Sequence, residues 1–242
     1  AAPDRITMKH EPENLILAHD EPPASGTAKG VGSGPWLGGL EATCEDCMAL
    51  MARYPDKYFD LAIVDPPYGI DINSSGRLGH YGGKGKTWDA QIPSAAYFAE
   101  LRRVARHQII WGGNYFPLPC SRGWIYWDKD TAAGVSFGDG ELAWASVETV
   151  VRRVRIQWSG FLGADGERIH PTQKPVKLYT WLLENYAKPG MKLLDTHLGS
   201  GSHAIAAHYF GAHLTACEID PDYYAAAMAR IKRETAQMTL FA

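Results

Sequence analysis

Met191-Lys192-Leu193-Leu194-Asp195-Thr196-His197-Leu198-Gly199-Ser200-Gly201-Ser202, continuing through His203-Ala204-Ile205-Ala206-Ala207-His208-Tyr209-Phe210, is the stretch whose reading decides the fold. Met191 to Asp195 reads as a short buried strand, and the segment after the glycines is helix-like and rich in small residues. Beyond Gly211 comes a second strand, His213 to Cys217, closed by the acid Glu218. Strand, glycine turn, helix, strand, acid is the nucleotide-binding half of a Rossmann-like fold. Glycines let the backbone approach a ligand, and the helix start offers free N–H groups to an anion. Glu218 is placed to accept hydrogen bonds from a ribose diol. Gly199 to Ala204 also satisfies the loose dinucleotide pattern Gly-x-Gly-x-x-Ala, so a nicotinamide dehydrogenase competes. Against it, the turn lies late in the chain and leaves little room behind it for a substrate domain.

A second stretch has no use in a dehydrogenase. Leu61-Ala62-Ile63-Val64 runs into Asp65-Pro66-Pro67-Tyr68-Gly69-Ile70. The acid leaves the sheet at its carboxyl edge, where open α/β folds bind ligands. Two prolines make a stiff, non-helical corner, with an unpaired carbonyl at Pro66 beside the Asp65 carboxylate. Two acceptors and a ring face held together suit an amino group on a flat heterocycle. Further on, Ile169-His170-Pro171-Thr172-Gln173-Lys174-Pro175-Val176 leads into apolar positions 178, 179, 182, 183 and 186. That pattern is a proline-marked loop entering a helix.

Asp65-Pro66-Pro67-Tyr68 resembles the catalytic motif of the DNA amino-methyltransferases, which move a methyl group from S-adenosylmethionine to adenine N6 or cytosine N4. His170 to Pro175 resembles that family's His-Pro-Thr-x-Lys-Pro motif. The order of the three motifs, within Ala42 to Tyr224, is similar to the circularly permuted β group. The resemblance implies a class I methyltransferase fold: α/β and Rossmann-like, a mixed, mostly parallel sheet with helices on both faces. It implies catalytic roles for Asp65, Pro66, Pro67 and Tyr68. It implies an S-adenosylmethionine pocket built from Asp46, Cys47, His170, Thr172, Gln173, Lys174, Asp195, His197, Gly199, Ser200, Gly201, Ser202, Glu218 and Ile219.

Asp46-Cys47 matches a family pair that begins a helix, its acid contacting the cofactor's adenine. Asp is also a natural N-cap, and the two roles are compatible. The family's usual Asp-Pro-Phe is here Asp195-Thr196-His197, which puts the packing beside the cofactor in question; His197 reads as a polar substitute lining the same pocket. Asp at position 65 favours adenine, since members acting on cytosine N4 more often carry Ser. Cytosine N4, RNA adenine and a protein glutamine are the alternative substrates. A non-catalytic nucleic-acid-binding module is the alternative from another class. The target base must leave the duplex stack to be reached, and Tyr68 would stack on it for roughly 1–3 kcal/mol.

DNA is the expected partner, although the net charge is −3, so the cations that meet phosphates must be local. Arg152, Arg153 and Arg155 lie in a β-rich stretch where alternation puts Arg153 and Arg155 on one face. Lys84, Lys86 and Trp88 lie in the glycine- and serine-rich loop 71–91, expected to close over the flipped base. The interval 129–169 is the expected target-recognition region. It is short, so a brief recognition sequence, a second subunit as in a homodimer, or the N-terminal arm 1–38 would complete the task. That arm reads as irregular, with the methyltransferase domain at 39–242.

Strands are expected near 61–65, 107–111, 123–127, 149–157, 192–195 and 213–217, and a helix from Ala95. The 242 residues, 45% apolar, can bury one α/β core. Cys44-x-x-Cys47 has no second pair, and no metal site is expected. With no long apolar stretch and no recognisable signal peptide, a cytoplasmic protein of prokaryotic or phage type without membrane contact is expected. A cognate restriction enzyme is a further expected partner.

Overall fold

The computed structural model describes residues 36–37, 39–71, 86–131, 138–158 and 168–236. Lys84, most of the 71–91 loop and nearly all of the N-terminal arm lie outside the described residues, as do parts of the 129–169 interval. In chain order the elements are β1 (Trp36–Leu37), β2 (Leu40–Cys44), α1 (Cys47–Ala52), β3 (Phe59–Val64), α2 (Ala95–Val104), β4 (Ala105–Trp111), β5 (Gly123–Asp128) and β6 (Gly140–Ala145). They continue as β7 (Arg152–Arg155), α3 (Val176–Tyr186), β8 (Lys192–Asp195), α4 (Ser202–Phe210), β9 (His213–Glu218) and α5 (Pro221–Thr235).

The described strands form one nine-stranded sheet in the order β1-β2-β9-β8-β3-β4-β6-β5-β7. From β2 to β4 every pairing is parallel, while β6 runs antiparallel to both its neighbours. Central parallel strands are covered on both faces and read as unbroken apolar runs. In β3, Leu61 and Ile63 join one core with α3, α4 and α5, while Phe59, Ala62 and Val64 join the other with α1 and α2. Helices therefore lie on both faces, as expected of this fold class. The chain winds outward from the centre in opposite directions, β3 to β4 on one side and β8 to β9 on the other. The adjacent carboxyl ends of β3 and β8 are thus a topological switch point, the crevice where open α/β sheets take ligands.

Four strands differ from the sequence expectation, the first being β1, which pairs with β2 at the end of the stretch read as an irregular arm. The strand expected at 149–157 is only four residues long, because Arg152–Arg155 pairs with β5 alone, at the sheet edge. β2 and β6 were not expected. Leu40-Glu41-Ala42-Thr43-Cys44 and Gly140-Glu141-Leu142-Ala143-Trp144-Ala145 carry Leu, Ala and Glu, which have no strand preference, and neighbouring strands impose the conformation. Where helices were expected the local chemistry agrees. Ser94 caps α2 by accepting from the Tyr97 N–H, and the buried positions of α3 are those of the apolar pattern, 178, 179, 182, 183 and 186.

After β4 the chain turns at Gly112, in the left-handed region at φ +67°. A Cβ there would stand 2.2 Å from Cε1 of Tyr68. Gly190 also has positive φ, +82°, but nothing lies within 4 Å of its would-be Cβ. Gly112→Ala should therefore lose stability through both backbone strain and collision, and Gly190→Ala through strain alone, on the order of 1 kcal/mol. Urea unfolding of the two variants separates the contributions; equal losses would mean that Tyr68 yields freely.

Candidate active site

Two cavities lie side by side over the switch point, of about 310 and about 440 Å³. Asp65, Pro67, Trp88, Thr172 and Lys174 line both, so the wall between them is built from the catalytic-motif corner and the His170–Pro175 loop.

The smaller cavity is floored by the glycine loop. Gly199, at φ +54°, donates its N–H to Oε2 of Glu218 at 2.9 Å, and Oε1 of Glu218 accepts from the Asp220 N–H at 3.0 Å. Burial pushes the Glu218 carboxyl up, against those two N–H groups. Asp46 caps α1 by accepting from the Met48 N–H at 2.8 Å and also lines the cavity. Cys47, His170, Thr172, Gln173, Lys174, His197, Ser200, Ser202 and Ile219 line it too. Asp195 and Gly201 stand behind the wall. Asp195 accepts from the His197 N–H and pairs with Nδ1 of His203, both at 3.0 Å, which fixes the turn after β8.

The His170–Pro175 loop is stitched to the glycine loop. Ser202 donates its hydroxyl to the Lys174 carbonyl at 2.7 Å, and the buried Arg230 donates to both the Ser200 carbonyl and Ser202 Oγ. His170 packs edge-on to Tyr223 and against Trp88, and burial holds its imidazole down to about 3. His197 lines the same cavity, beside Thr196. Its ring meets Tyr97 edge-to-face at 5.6 Å and Nδ1 is 2.9 Å from the Thr196 hydroxyl. Burial lowers it to about 4, so it is neutral at pH 7.

The larger cavity is lined by the Asp65–Tyr68 corner. Tyr68 donates its hydroxyl to Oδ1 of Asp65 at 2.8 Å, and Lys174 Nζ donates to Oδ2 at 2.6 Å. The same ammonium reaches Oε2 of Glu141 on β6 at 3.0 Å and the Tyr68 oxygen at 3.2 Å, which uses all three of its donors. Lys129 holds the other Glu141 oxygen at 2.6 Å. Burial pushes Asp65 up despite the pull of Lys174, whereas Lys174 and Lys129 overcome burial and hold Glu141 down at about 2. Beneath the corner, the buried Asp89 carboxylate accepts from the Tyr68 and Gly69 N–H groups at 2.8 and 3.1 Å. The Tyr68 ring stacks on Tyr115, with centroids 5.0 Å apart.

Residues 127–229, the stretch containing Glu141, the His170–Pro175 loop and the glycine loop, match the family model N6_N4_Mtase, described as DNA methylase. That segment, a little under half of the chain, is similar to the N6/N4 DNA methylases. The chain is also 26% identical over 199 residues to YubD of Escherichia coli (strain K12), a protein whose name assigns it provisionally to the methylases. The match spans 77% of this chain and 87% of YubD. Among solved structures it is similar to PvuII DNA methyltransferase, described as cytosine-N4-specific, at TM-score 0.54 and 15% identity, over 82% of this chain and 90% of that one. It is similar too to M1.HpyAVI solved with SAM, at TM-score 0.51 and 17% identity, over 79% and 99%. These likenesses establish the methyltransferase Rossmann-like fold.

The cations expected to meet DNA are placed less simply than the methylase motifs. Lys86 pairs with Asp220 at 2.5 Å and Asp222 at 2.9 Å, and lies over the Tyr223 ring beside the smaller cavity. Arg153 and Arg155 share one face, as alternation requires, and both reach Asp128, at 2.5 and 3.0 Å. Arg152 is exposed on the same edge strand, and Trp88 lines both cavities. Among the described residues no group of three or more His, Cys, Asp or Glu is placed to hold a metal ion, and no helix is long and apolar enough to cross a membrane. Sequence reasoning missed Glu141, Lys129, Tyr115, Asp220 and Arg230. Asp220-Pro221 carries a helix-start signal; the others carry none.

The two buried imidazoles set a pH dependence. On unfolding they return toward the ordinary 6.5, so between about pH 6.5 and 4 the unfolded chain takes up protons that the native one refuses. Stability is fully present above 6.5 and falls as pH falls, by ~1.4 kcal/mol per pH unit for each imidazole. His197→Phe should flatten that slope by one proton in urea titrations across the window; an unchanged slope would mean that His197 titrates normally.

Proposed function

We propose that the protein transfers the methyl group of S-adenosylmethionine to the N6 amino group of adenine in DNA, with the base extruded from the helix. The observation that carries this reading is the shared wall. A donor cavity and an acceptor cavity meet at Asp65, Pro67 and Lys174, with the Pro66 carbonyl on the acceptor side.

The smaller cavity fits the cofactor by its chemistry. The carboxylate of Glu218 suits the ribose hydroxyls, and Asp46 the adenine amino group. The loop Gly199 to Ser202 leaves its backbone open to close approach. The buried Gln173 Nε2 has no partner among the described residues, so it has a donor left for the carboxylate of the methionine end. When bound, S-adenosylmethionine supplies a sulfonium-activated methyl group.

The protein's residues do the rest by alignment. An adenine amino nitrogen is a poor nucleophile because its lone pair is delocalised into the ring. Asp65 and the Pro66 carbonyl accept its two hydrogens, which favours a pyramidal nitrogen and aims its lone pair at the methyl. With the methyl of bound S-adenosylmethionine passed to that lone pair and the cofactor left as the neutral thioether, Asp65 would take the N–H proton released and pass it to water. Alignment of this kind supplies much of the rate. Tyr68 and Tyr115 offer aromatic surface to the flipped base.

Cytosine N4 presents an amino group beside a ring nitrogen in the same way, and the similarity to the cytosine-N4-specific PvuII enzyme favours that second reading. Asp65 inclines the choice to adenine. We assign target recognition to the 129–169 interval with its edge-strand arginines, for a brief recognition sequence or with a second subunit or the N-terminal arm 1–38 completing the task.

Nucleoside mass spectrometry on unmethylated DNA incubated with the protein and deuterated-methyl S-adenosylmethionine tests the reading. Label on N6-methyladenine is expected; label on N4-methylcytosine would reverse the base, and unlabelled DNA would overturn the reading. Asp65→Ala should lower turnover by at least about 100-fold, the scale of a lost positioned acid–base group, with cofactor affinity within a few-fold. Near-normal turnover in that variant would remove Asp65 from the chemistry.

A further inference from the structure

Lys174 is 3% exposed in its side chain and lies between two carboxylates, Asp65 at 2.6 Å and Glu141 at 3.0 Å. The methyl-transfer scheme needs Asp65 as an acceptor for the incoming amino group, yet its Oδ1 already accepts from Tyr68 and its Oδ2 from Lys174, so the amino group must compete with the ammonium. A Lys174 with no other carboxylate partner would hold Asp65 more tightly against that exchange. The third member changes this. Glu141 comes from β6, and its other oxygen is held by Lys129 at 2.6 Å. With Glu141 present, Lys174 keeps a carboxylate partner when it lets go of Asp65.

We propose that Glu141 is a positioning residue for methyl transfer: it shares the Lys174 ammonium with Asp65, so that the Asp65 carboxylate can exchange that ammonium for the target amino group. The inference rests on the methyltransferase reading above. Charged and titratable groups face the cluster from every side: Asp65 and Tyr68 after β3, Lys129 after β5, Glu141 on β6, Lys174 before α3 and Tyr179 on α3. Two ammoniums and two carboxylates leave it electrically balanced. Within it Asp65, which has only a share of one ammonium, is the weaker acid, and Glu141, which has two, is the stronger. The more basic oxygen is thus the one that must take the amino proton. Glu141 also lines the larger cavity, so the arriving base lies beside the ammonium that must move.

A double-mutant cycle distinguishes this role from simple packing. Glu141→Gln keeps the shape and removes the charge, leaving Lys174 with Asp65 as its sole carboxylate. The expected result is a fall in kcat of at least tenfold, with the S-adenosylmethionine Kd and the KM for DNA within about twofold. In a Lys174→Met background there is no ammonium to share, and the same substitution should cost less than twofold. Glu141→Asp, which keeps the charge one methylene further back, should recover part of kcat; it also serves as the assay variant should Glu141→Gln unfold. A kcat for Glu141→Gln within twofold of the parent, or an equal loss in both backgrounds, would overturn the proposal. No recovery in Glu141→Asp relative to Glu141→Ala would do the same. Absence of methyl transfer by the unsubstituted protein would instead sink the functional reading, so the two failures are distinct.

Discussion

The site depends on one buried ammonium. Lys174 Nζ holds together three segments remote in sequence: the corner after β3, strand β6 and the loop before α3. Taking an ammonium out of water costs several kcal/mol, offset only when geometry and hydrogen bonding are complete. Here they are complete, since three donors meet Asp65, Glu141 and the Tyr68 oxygen. Removing one partner from such a cluster typically costs about 3–5 kcal/mol because a charge is left uncompensated. The network thus fixes the wall between the two cavities. It also fixes where a reacting nitrogen would have to lie relative to a methyl donor.

That wall exists because of the sheet. Winding outward from β3 and β8 in opposite directions opens a crevice at their carboxyl ends, and the chain spends its chemistry there. The Asp65–Tyr68 corner leaves β3, the glycine loop leaves β8, and Glu218 closes β9 one strand away. Antiparallel β6 starts just past the carboxyl end of β4, which brings Glu141 to the crevice. A wholly parallel sheet would have no strand returning there with a carboxylate.

How much of this was legible depended on whether the signal was local. The glycine loop, the proline corner and the helix after Pro175 announce themselves through residues whose backbone preferences are strong, and the structure has them where the sequence indicates. His197 was legible as a departure from a family pattern, and burial against Tyr97 explains why an imidazole serves there. Glu141 was not legible. It lies in a stretch of helix-compatible residues that become a strand only by pairing with β4 and β5, and its partner Lys174 is 33 residues further on. No periodicity predicts a three-segment ion cluster; only the tertiary fold places it. Arg230, under the glycine loop, was hidden for the same reason, since on α5 it reads as one more cation on an amphipathic helix.

Residues 86–89 give the two cavities a common mechanical element. Lys86 is tied to Asp220 beside the smaller cavity, Trp88 packs on His170 and lines both cavities, and Asp89 holds the Tyr68 and Gly69 N–H groups. A displacement of Tyr68 pulls on Asp89, three residues from the Lys86 pair. A displacement of His170 or Tyr223 presses on Trp88 and the Lys86 stem. Close-packed interiors transmit such shifts rather than absorb them. The two cavities thus share the supports of their common wall, with Trp88 lining both.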